Sequence, residues 1–231
     1  MLLPHNLFHK EVIENIKNRK SIIMKFLVPL VLLSPVAFIN MPAYVKSGIL
    51  AFMILFLGVF GSSVRIVRLR EQKITERLAV LPIKPSILIM HYILANSLVD
   101  SLQLLPPMLL IFILGIPGIA AIAWVLMLYV LAVFAANMIG VIIALVAGSS
   151  AEVHLYAMIV TLGIAVMSGS FFTLPGILNF IGLFSPFRSF SDSLLFSWGD
   201  INVIYFTIAP IPIMLLVFLV IIVSGKFFKF K

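Results

Sequence analysis

The sequence predicts an all-α membrane protein, and three observations carry that prediction: its composition, the length of its apolar segments and the placement of its basic residues. Of the 231 residues, 63% are hydrophobic and only 10% are charged. A soluble domain is nearer half apolar and a quarter charged, and a soluble fold of this size could not bury so much apolar surface. We therefore expect a single transmembrane domain over residues 1–231, largely covered by lipid.

Six apolar segments reach or nearly reach the length that a membrane-spanning helix needs. About 20 helical residues cross roughly 30 Å of hydrocarbon. The predicted spans are residues 22–39, 47–64, 86–114, 119–147, 155–174 and 202–223. Five prolines fall within these spans and predict kinks: Pro29, Pro35, Pro106, Pro107 and Pro210.

Two further segments are apolar on one face or too irregular to span. In residues 5–20, Phe8, Val12 and Ile16 recur at helical spacing among charged residues, which predicts an N-terminal amphipathic helix in the membrane interface. Residues 175–200 are apolar but interrupted by proline and glycine. We expect two short helices there, which enter the outer leaflet as a re-entrant helical hairpin before the last span.

Lysine and arginine predict the orientation. With the N-terminus inside, all 16 of these residues except Lys46 and Arg188 lie on the cytoplasmic side, as the positive-inside rule requires. Six spans then place both termini in the cytoplasm of a multi-pass plasma-membrane protein. Because topology explains the net charge of +8, we expect the partner surface to be the lipid bilayer and not nucleic acid.

The loop between spans two and three, residues 65–85, combines charge with an apolar stripe. Ile74, Leu78 and Leu81 stand at i, i+4 and i+7, so a short charged helix would present one apolar face. Such a helix suits docking to a partner protein. The alternative is a basic loop that contacts anionic lipid.

Two stretches follow an order of residues found in one family. The first is Arg70-Glu71-Gln72-Lys73-Ile74-Thr75-Glu76-Arg77-Leu78, followed by Leu81-Pro82; the second is Ser168-Gly169-Ser170-Phe171-Phe172-Thr173-Leu174-Pro175, followed by Ser185-Pro186. Both resemble the membrane (permease) subunits of type-2 ABC exporters. Ile74 stands where that family usually has Gly, and Ser185 stands where it usually has Asn.

The resemblance implies how such a protein works. Two permease subunits, either two copies of this chain or this chain with a homologous permease, form the substrate pathway above a separate ABC ATP-binding subunit. The loop is then a coupling helix that docks on the ATPase through Arg70, Glu71, Lys73, Thr75, Glu76, Arg77, Leu78 and Leu81. The sequence has no GxxxxGK[ST] motif, so ATP and Mg²⁺ would bind to the partner and no cofactor is expected in this chain.

Span three carries a polar stripe. Asn96, Asp100 and Gln103 stand at i, i+4 and i+7, within about 60° of one another on a helix. A carboxylate inside the membrane normally faces a cavity or a partner. The stripe therefore faces the translocation pathway or the dimer seam, or it braces the interior of the bundle.

Small and aromatic residues mark other contacts. Gly140 in span four and Gly163 in span five predict close approaches of helices. Phe171 and Phe172 gate the outer exit of the pathway, or they anchor the protein at the membrane interface.

No reactive constellation is visible. The sequence contains no cysteine, no metal-ligand spacing among its four histidines and no nucleophile–base pair, so we expect no catalytic or metal site and no enzyme activity in this chain. The alternative to an ATP-driven exporter is a self-contained channel or secondary transporter with no ATPase partner. Such proteins usually show paired intramembrane charges or two matching halves.

Overall fold

The structure is a computed structural model that describes residues 19–39, 41–73, 85–113, 119–172 and 174–197, together with Ile13 and Ile222. Every regular element in these ranges is an α-helix, which confirms the predicted all-α class there. The helices are α1 (Arg19–Phe38), α2 (Ala43–Glu71), α3 (Pro85–Ile113), α4 (Ile119–Val146), α5 (Ser150–Met167), α6 (Gly176–Leu183) and α7 (Pro186–Ser197).

Four of the described helices are long and apolar enough to cross a membrane. The spans lie in Ala43–Glu71, Ser86–Leu109, Ile122–Val146 and Ser150–Met167, which makes this a multi-pass membrane protein. At 1.5 Å per residue, α2 is about 44 Å long and α5 about 27 Å, so α2 extends beyond the hydrocarbon. The predicted last span, 202–223, lies almost wholly outside the described residues, as does most of the predicted interfacial helix at 5–20.

Two predicted spans, 47–64 and 155–174, differ in their bounds from the helices that contain most of them, and both fall short of the helix at the same end of the bundle. The second helix continues to Glu71 instead of ending at residue 64, and α5 begins at Ser150 instead of residue 155. Charge suggested a loop over 65–71, but a helix longer than the bilayer can carry charges on its projecting end. The other end of α5 was predicted too late, because Gly169 adopts φ 67° and terminates the helix after Met167.

The centre of the bundle is the close contact between α2 and α4. A Cβ on Gly58 would lie 2.5 Å from the Cβ of Ala136, and one on Gly140 would overlap Ser62 Oγ and the carbonyl oxygen of Val59. Small residues allow this approach, which membrane helices use because lipid gives them no hydrophobic drive to associate. The prediction for Gly140 is confirmed.

The prediction for Gly163 finds no support among the described residues. Apart from the backbone of its own helix and its chain neighbours, no described atom lies within 4 Å of the position that its Cβ would occupy.

The other helices surround α2 and α4. Helix α3 packs on α4 and α1 packs on α3, whereas α5 packs on α2 and α7 packs on both central helices. The two short helices predicted between residues 175 and 200 are present as α6 and α7. They differ in burial: α7 buries Phe187 and Phe190, whereas α6 exposes Ile177, Phe180 and Ile181.

Candidate functional site

The last turn of α2 binds the end of α4. Arg70 Nη2 donates to the carbonyl oxygen of Ala147 at 2.9 Å and to that of Ala144. The last four carbonyl oxygens of a helix have no N–H partner within the helix itself. The guanidinium therefore satisfies two such groups and places a positive charge at the negative end of the α4 dipole.

Glu71 makes the matching contact with the beginning of α5. Its Oε1 accepts hydrogen bonds from the backbone N–H of Ser150 at 3.1 Å and from the Ser150 hydroxyl at 2.7 Å. The first N–H groups of a helix lack intrahelical acceptors, and a negative charge is favourable beside them. Consecutive side chains of α2 thus hold the end of one helix and the beginning of the next.

The turn between α4 and α5 also carries its own caps. Ser149 is the N-cap residue, and its side chain accepts from the backbone N–H of Glu152 at 3.3 Å. Glu152 Oε2 in turn accepts from the N–H of Gly148 at 2.7 Å. This reciprocal arrangement is close to a capping box, so the turn is fixed locally as well as from α2.

Helix α2 ends in a left-handed turn. Lys73 has φ 57°, and its N–H donates to the carbonyl oxygen of Arg70 at 2.9 Å, as in a common helix C-terminal motif. Of the predicted coupling residues, the structure thus places Arg70, Glu71 and Lys73. The remainder lie outside the described residues: Thr75, Glu76, Arg77, Leu78 and Leu81.

The polar stripe of α3 points into the bundle. Asn96 and Asp100 are buried, and Gln103 is half-buried. Asn137 Nδ2 of α4 donates to Asp100 Oδ2 at 3.1 Å, and Arg65 Nη1 of α2 donates to Asn96 Oδ1 at 3.1 Å. The first two residues of the stripe therefore connect α3 to both central helices.

Arg65 is a residue whose role sequence reasoning missed. Its guanidinium carbon lies 5.6 Å from the centroid of the Tyr92 ring, a cation–π distance, in addition to its bond to Asn96. The neighbouring Ile66 and Val67 are buried. Those two apolar residues were the available signal that the helix continues through the charged segment.

A cavity of about 90 Å³ opens beside the stripe. Leu57, Phe60, Gly61, Asp100, Gln103 and Leu104 line it. A Cβ on Gly61 would lie 3.9 Å from Asp100 Oδ2, so the absence of a side chain there leaves the carboxylate at the cavity wall. The space is large enough for a few water molecules beside polar groups.

Aromatic rings continue from this cavity along α2. Phe52, Phe56 and Phe60 recur every four residues on one face, with consecutive ring centroids 6.0 and 4.4 Å apart. Phe171, just beyond α5, meets Phe52 at 6.1 Å, and Phe172 beside it is exposed. We call Phe52, Phe56, Phe60 and Phe171 the aromatic row.

At the opposite end of the bundle, Arg188 of α7 joins α7 to α6 and also pairs with Asp192 one turn further along α7. Arg188 Nη1 donates to the carbonyl oxygen of Asn179 at 3.1 Å, and its Nε lies 3.4 Å from Asp192 Oδ2. Burial raises the pKa of Asp192, and Arg188 offsets part of that rise. The hydrogen bond from Arg188 to Asn179 therefore connects the two short helices, and the partly buried pair with Asp192 lies within α7.

Within the part of the chain that the structure describes, no three histidine, aspartate or glutamate side chains come together as a metal site. Residues 5–198 match the family model of the ABC-2 type transporter. No curated protein matches the sequence. The family match covers most of the chain and includes both stretches in which the resemblance was found. This multi-pass membrane protein therefore belongs to the ABC-2 type transporter family and is a transporter permease.

Proposed function

We propose that the chain is the permease subunit of an ATP-driven ABC-2 type exporter, that it forms the substrate pathway as a dimer, and that a separate ATP-binding subunit drives it. The observation that carries this proposal is the end of α2. The helix continues past Arg65 and Arg68 to Glu71 and leads within three residues into the charged, apolar-striped segment 74–84.

The proposed topology has six spans with both termini in the cytoplasm. The described part supports it through charge: α2 carries Arg65, Arg68 and Arg70 near one end and Lys46 near the other. This asymmetry fits a cytoplasmic position for the end of α2. The exposed apolar side chains of α6 suit contact with lipid, so we place α6 and α7 in the outer leaflet as the re-entrant hairpin.

In this arrangement segment 74–84 docks on the ATPase. Ile74, Leu78 and Leu81 supply the apolar face, and Glu76 and Arg77 supply the charged rim that selects the partner. ATP and Mg²⁺ bind to the partner subunit, and this chain binds neither. The partners are then the ATP-binding subunit and a second permease, which is another copy of this chain or a homologue.

The substrate pathway is proposed to run along the α2 face that carries the cavity and the aromatic row. Asp100 and Gln103 line the cavity, and Asn96 lies one turn from Asp100 on the same stripe. Phe52 and Phe171 lie toward the opposite end, where Phe171 and Phe172 would form the outer gate. A polar pocket that leads into an aromatic surface suits an amphipathic cargo, whose two parts need different surroundings.

Copurification tests this function most simply. The tagged chain, purified from its native membrane in mild detergent, is expected to bring with it an ATP-binding subunit that contains a GxxxxGK[ST] motif. Replacing Glu76→Ala together with Arg77→Ala is expected to lower the recovered ATPase strongly, because both rim charges are lost. Lys46→Ala removes a cation from the other end of α2 and serves as the control that retains the ATPase.

Two results would contradict the proposal. One is a wild-type preparation that contains no ATP-binding subunit, which would favour a self-contained channel or carrier. The other is full recovery of the ATPase with the double variant, which would move the docking surface away from segment 74–84.

A further inference from the structure

Arg70 and Glu71 connect the last turn of α2 to two other helices at the same point. We infer that these two residues form a rigid link, here called the α2 link, that passes movement of the coupling loop to α4 and α5. The inference rests on the proposed function, since the movement would come from the ATPase. It assigns Arg70 and Glu71 a positioning role within the permease in place of direct docking on the ATPase.

The acceptors and donors of the link are mostly backbone groups. Arg70 donates to the carbonyl oxygens of Ala144 and Ala147, and Glu71 accepts from both the N–H and the hydroxyl of Ser150. A backbone group cannot change its rotamer, so a bond to it constrains the whole helix end. Hydrogen bonds with one charged partner are also shorter and stronger than neutral ones.

The link lies very close to the loop along the chain. Glu71 is the last residue of α2, and Lys73 already has the left-handed conformation that ends the helix. The proposed docking segment begins at residue 74, so only two residues separate it from the link. A displacement of the loop therefore acts directly on the turn of α2 that holds α4 and α5.

A purely local capping role does not account for Glu71. Ser149 and Glu152 already cap the beginning of α5 from within the same turn, so α5 does not require a further carboxylate in order to form. Glu71 adds a contact from a different helix, 79 positions earlier in the chain. This contact fixes the position of α5 relative to α2.

Four substitutions separate the link from local capping. Glu71→Ala removes both bonds to Ser150. Glu71→Gln retains an acceptor oxygen without the charge, and Ser150→Ala removes the hydroxyl while the N–H remains. Glu152→Ala is the matched control, because it removes another exposed acid that accepts a backbone N–H in the same turn without touching α2.

Spin labels can report the link because the sequence contains no cysteine. Gln72→Cys and Ala151→Cys place nitroxides on exposed positions directly after Glu71 and directly after Ser150. The complex with the copurified ATP-binding subunit is examined by electron paramagnetic resonance, without nucleotide and with ATP plus vanadate. We expect a narrow label–label distance distribution that is the same in both states.

The variants give the expected order of effects. Glu71→Ala broadens the distribution and makes it depend on nucleotide, Glu71→Gln and Ser150→Ala have smaller effects, and Glu152→Ala resembles the unaltered link. If Glu71 were only a structural cap, Glu71→Ala would lower the unfolding temperature and leave the label–label distance distribution unchanged.

The inference is overturned if Glu71→Ala leaves the distribution as narrow as before, or if the unaltered pair already changes its separation with nucleotide. Neither result affects the proposed function, which depends on copurification of the ATPase. If no ATP-binding subunit copurifies, the proposed function is wrong. The link then transmits no movement from an ATPase, even if the label–label distances show that it holds α2 and α5 together.

Discussion

Helix α2 holds α4 in two different ways along its length. In the middle, Gly58 and Gly140 bring the two helices so close that a Cβ at either glycine would clash with the facing helix. At the end, Arg70 reaches the α4 carbonyls with a long charged side chain. The first contact, here called the seam between α2 and α4, depends on close packing, and the second, here called the Arg70 attachment, depends on charge and hydrogen bonding.

Filling the seam with a larger side chain is expected to cause the largest loss of stability. Gly140→Val would place side-chain atoms against Ser62 Oγ and the Val59 carbonyl oxygen, and part of that obstacle is backbone. We expect a loss of about 3 kcal/mol in stability, seen as a lower yield of monodisperse protein and a lower unfolding temperature in detergent. Gly163→Val adds the same side chain at an open position, and an equal loss there would show that the seam is not the cause.

A smaller loss of stability is expected when Asn137 of α4, the neighbour of Ala136 in the chain, loses its side-chain amide. Asn137→Ala removes the donor that reaches Asp100 Oδ2 and should cost about 1–3 kcal/mol, measured as a lower unfolding temperature. The control is Ser97→Ala, because the buried Ser97 hydroxyl has no hydrogen-bond partner among the described residues and its loss should be neutral or stabilising. A neutral Asn137→Ala would mean that this bond does not brace α3 against α4.

The Arg70 attachment should contribute less to stability than the seam. Arg70→Ala removes the bonds to the carbonyls of Ala144 and Ala147, and we expect a cost of about 1–2 kcal/mol. Arg70→Lys should recover only part of it, since an ammonium group cannot present two donors in the fixed plane of a guanidinium. Unfolding temperatures of the three proteins check this, and a cost equal to that of Gly140→Val would remove the contrast between the two contacts.

The smallest effect on stability is expected from Asp192 in α7, at the end of the bundle opposite Arg70. Burial raises the pKa of Asp192 in the folded protein, so the folded state binds a proton more tightly than the unfolded state does. The stability that this group contributes therefore increases as pH falls through its folded pKa. Asp192→Asn is expected to keep the fold at neutral pH and to remove this part of the pH dependence, which unfolding temperatures at neutral and mildly acidic pH would detect.

The membrane class and most helices follow from the sequence, because the length of apolar segments is set by the bilayer. Helix ends were harder, since charged residues such as Arg65 and Arg68 resemble a loop until one knows that α2 projects beyond the lipid. The beginning of α5 did carry a signal. Ser149 followed by Glu152 is a capping-box spacing that fixes the observed N-terminus.

Contacts between helices depend on which faces meet, and a single sequence does not specify them. Gly140 and Gly163 are alike in sequence, yet among the described helices Gly140 lies against a neighbour and Gly163 does not. Asp100 was recognised as unusual, but its partner Asn137 is 37 positions away and is selected by the packing of α3 on α4. The attachment of Glu71 to Ser150 was missed for the same reason.

One labelling experiment tests whether events at the end of α2 reach the cavity between α2 and α3. In the complex with the ATP-binding subunit, Gln103→Cys at the cavity wall and Leu102→Cys on an exposed neighbouring position are treated with a water-soluble maleimide. We expect that Gln103→Cys reacts, that ATP plus vanadate changes its rate, and that Leu102→Cys, which lies outside the cavity, reacts at a rate that does not depend on nucleotide. Equal rates at Gln103→Cys with and without nucleotide would contradict the account.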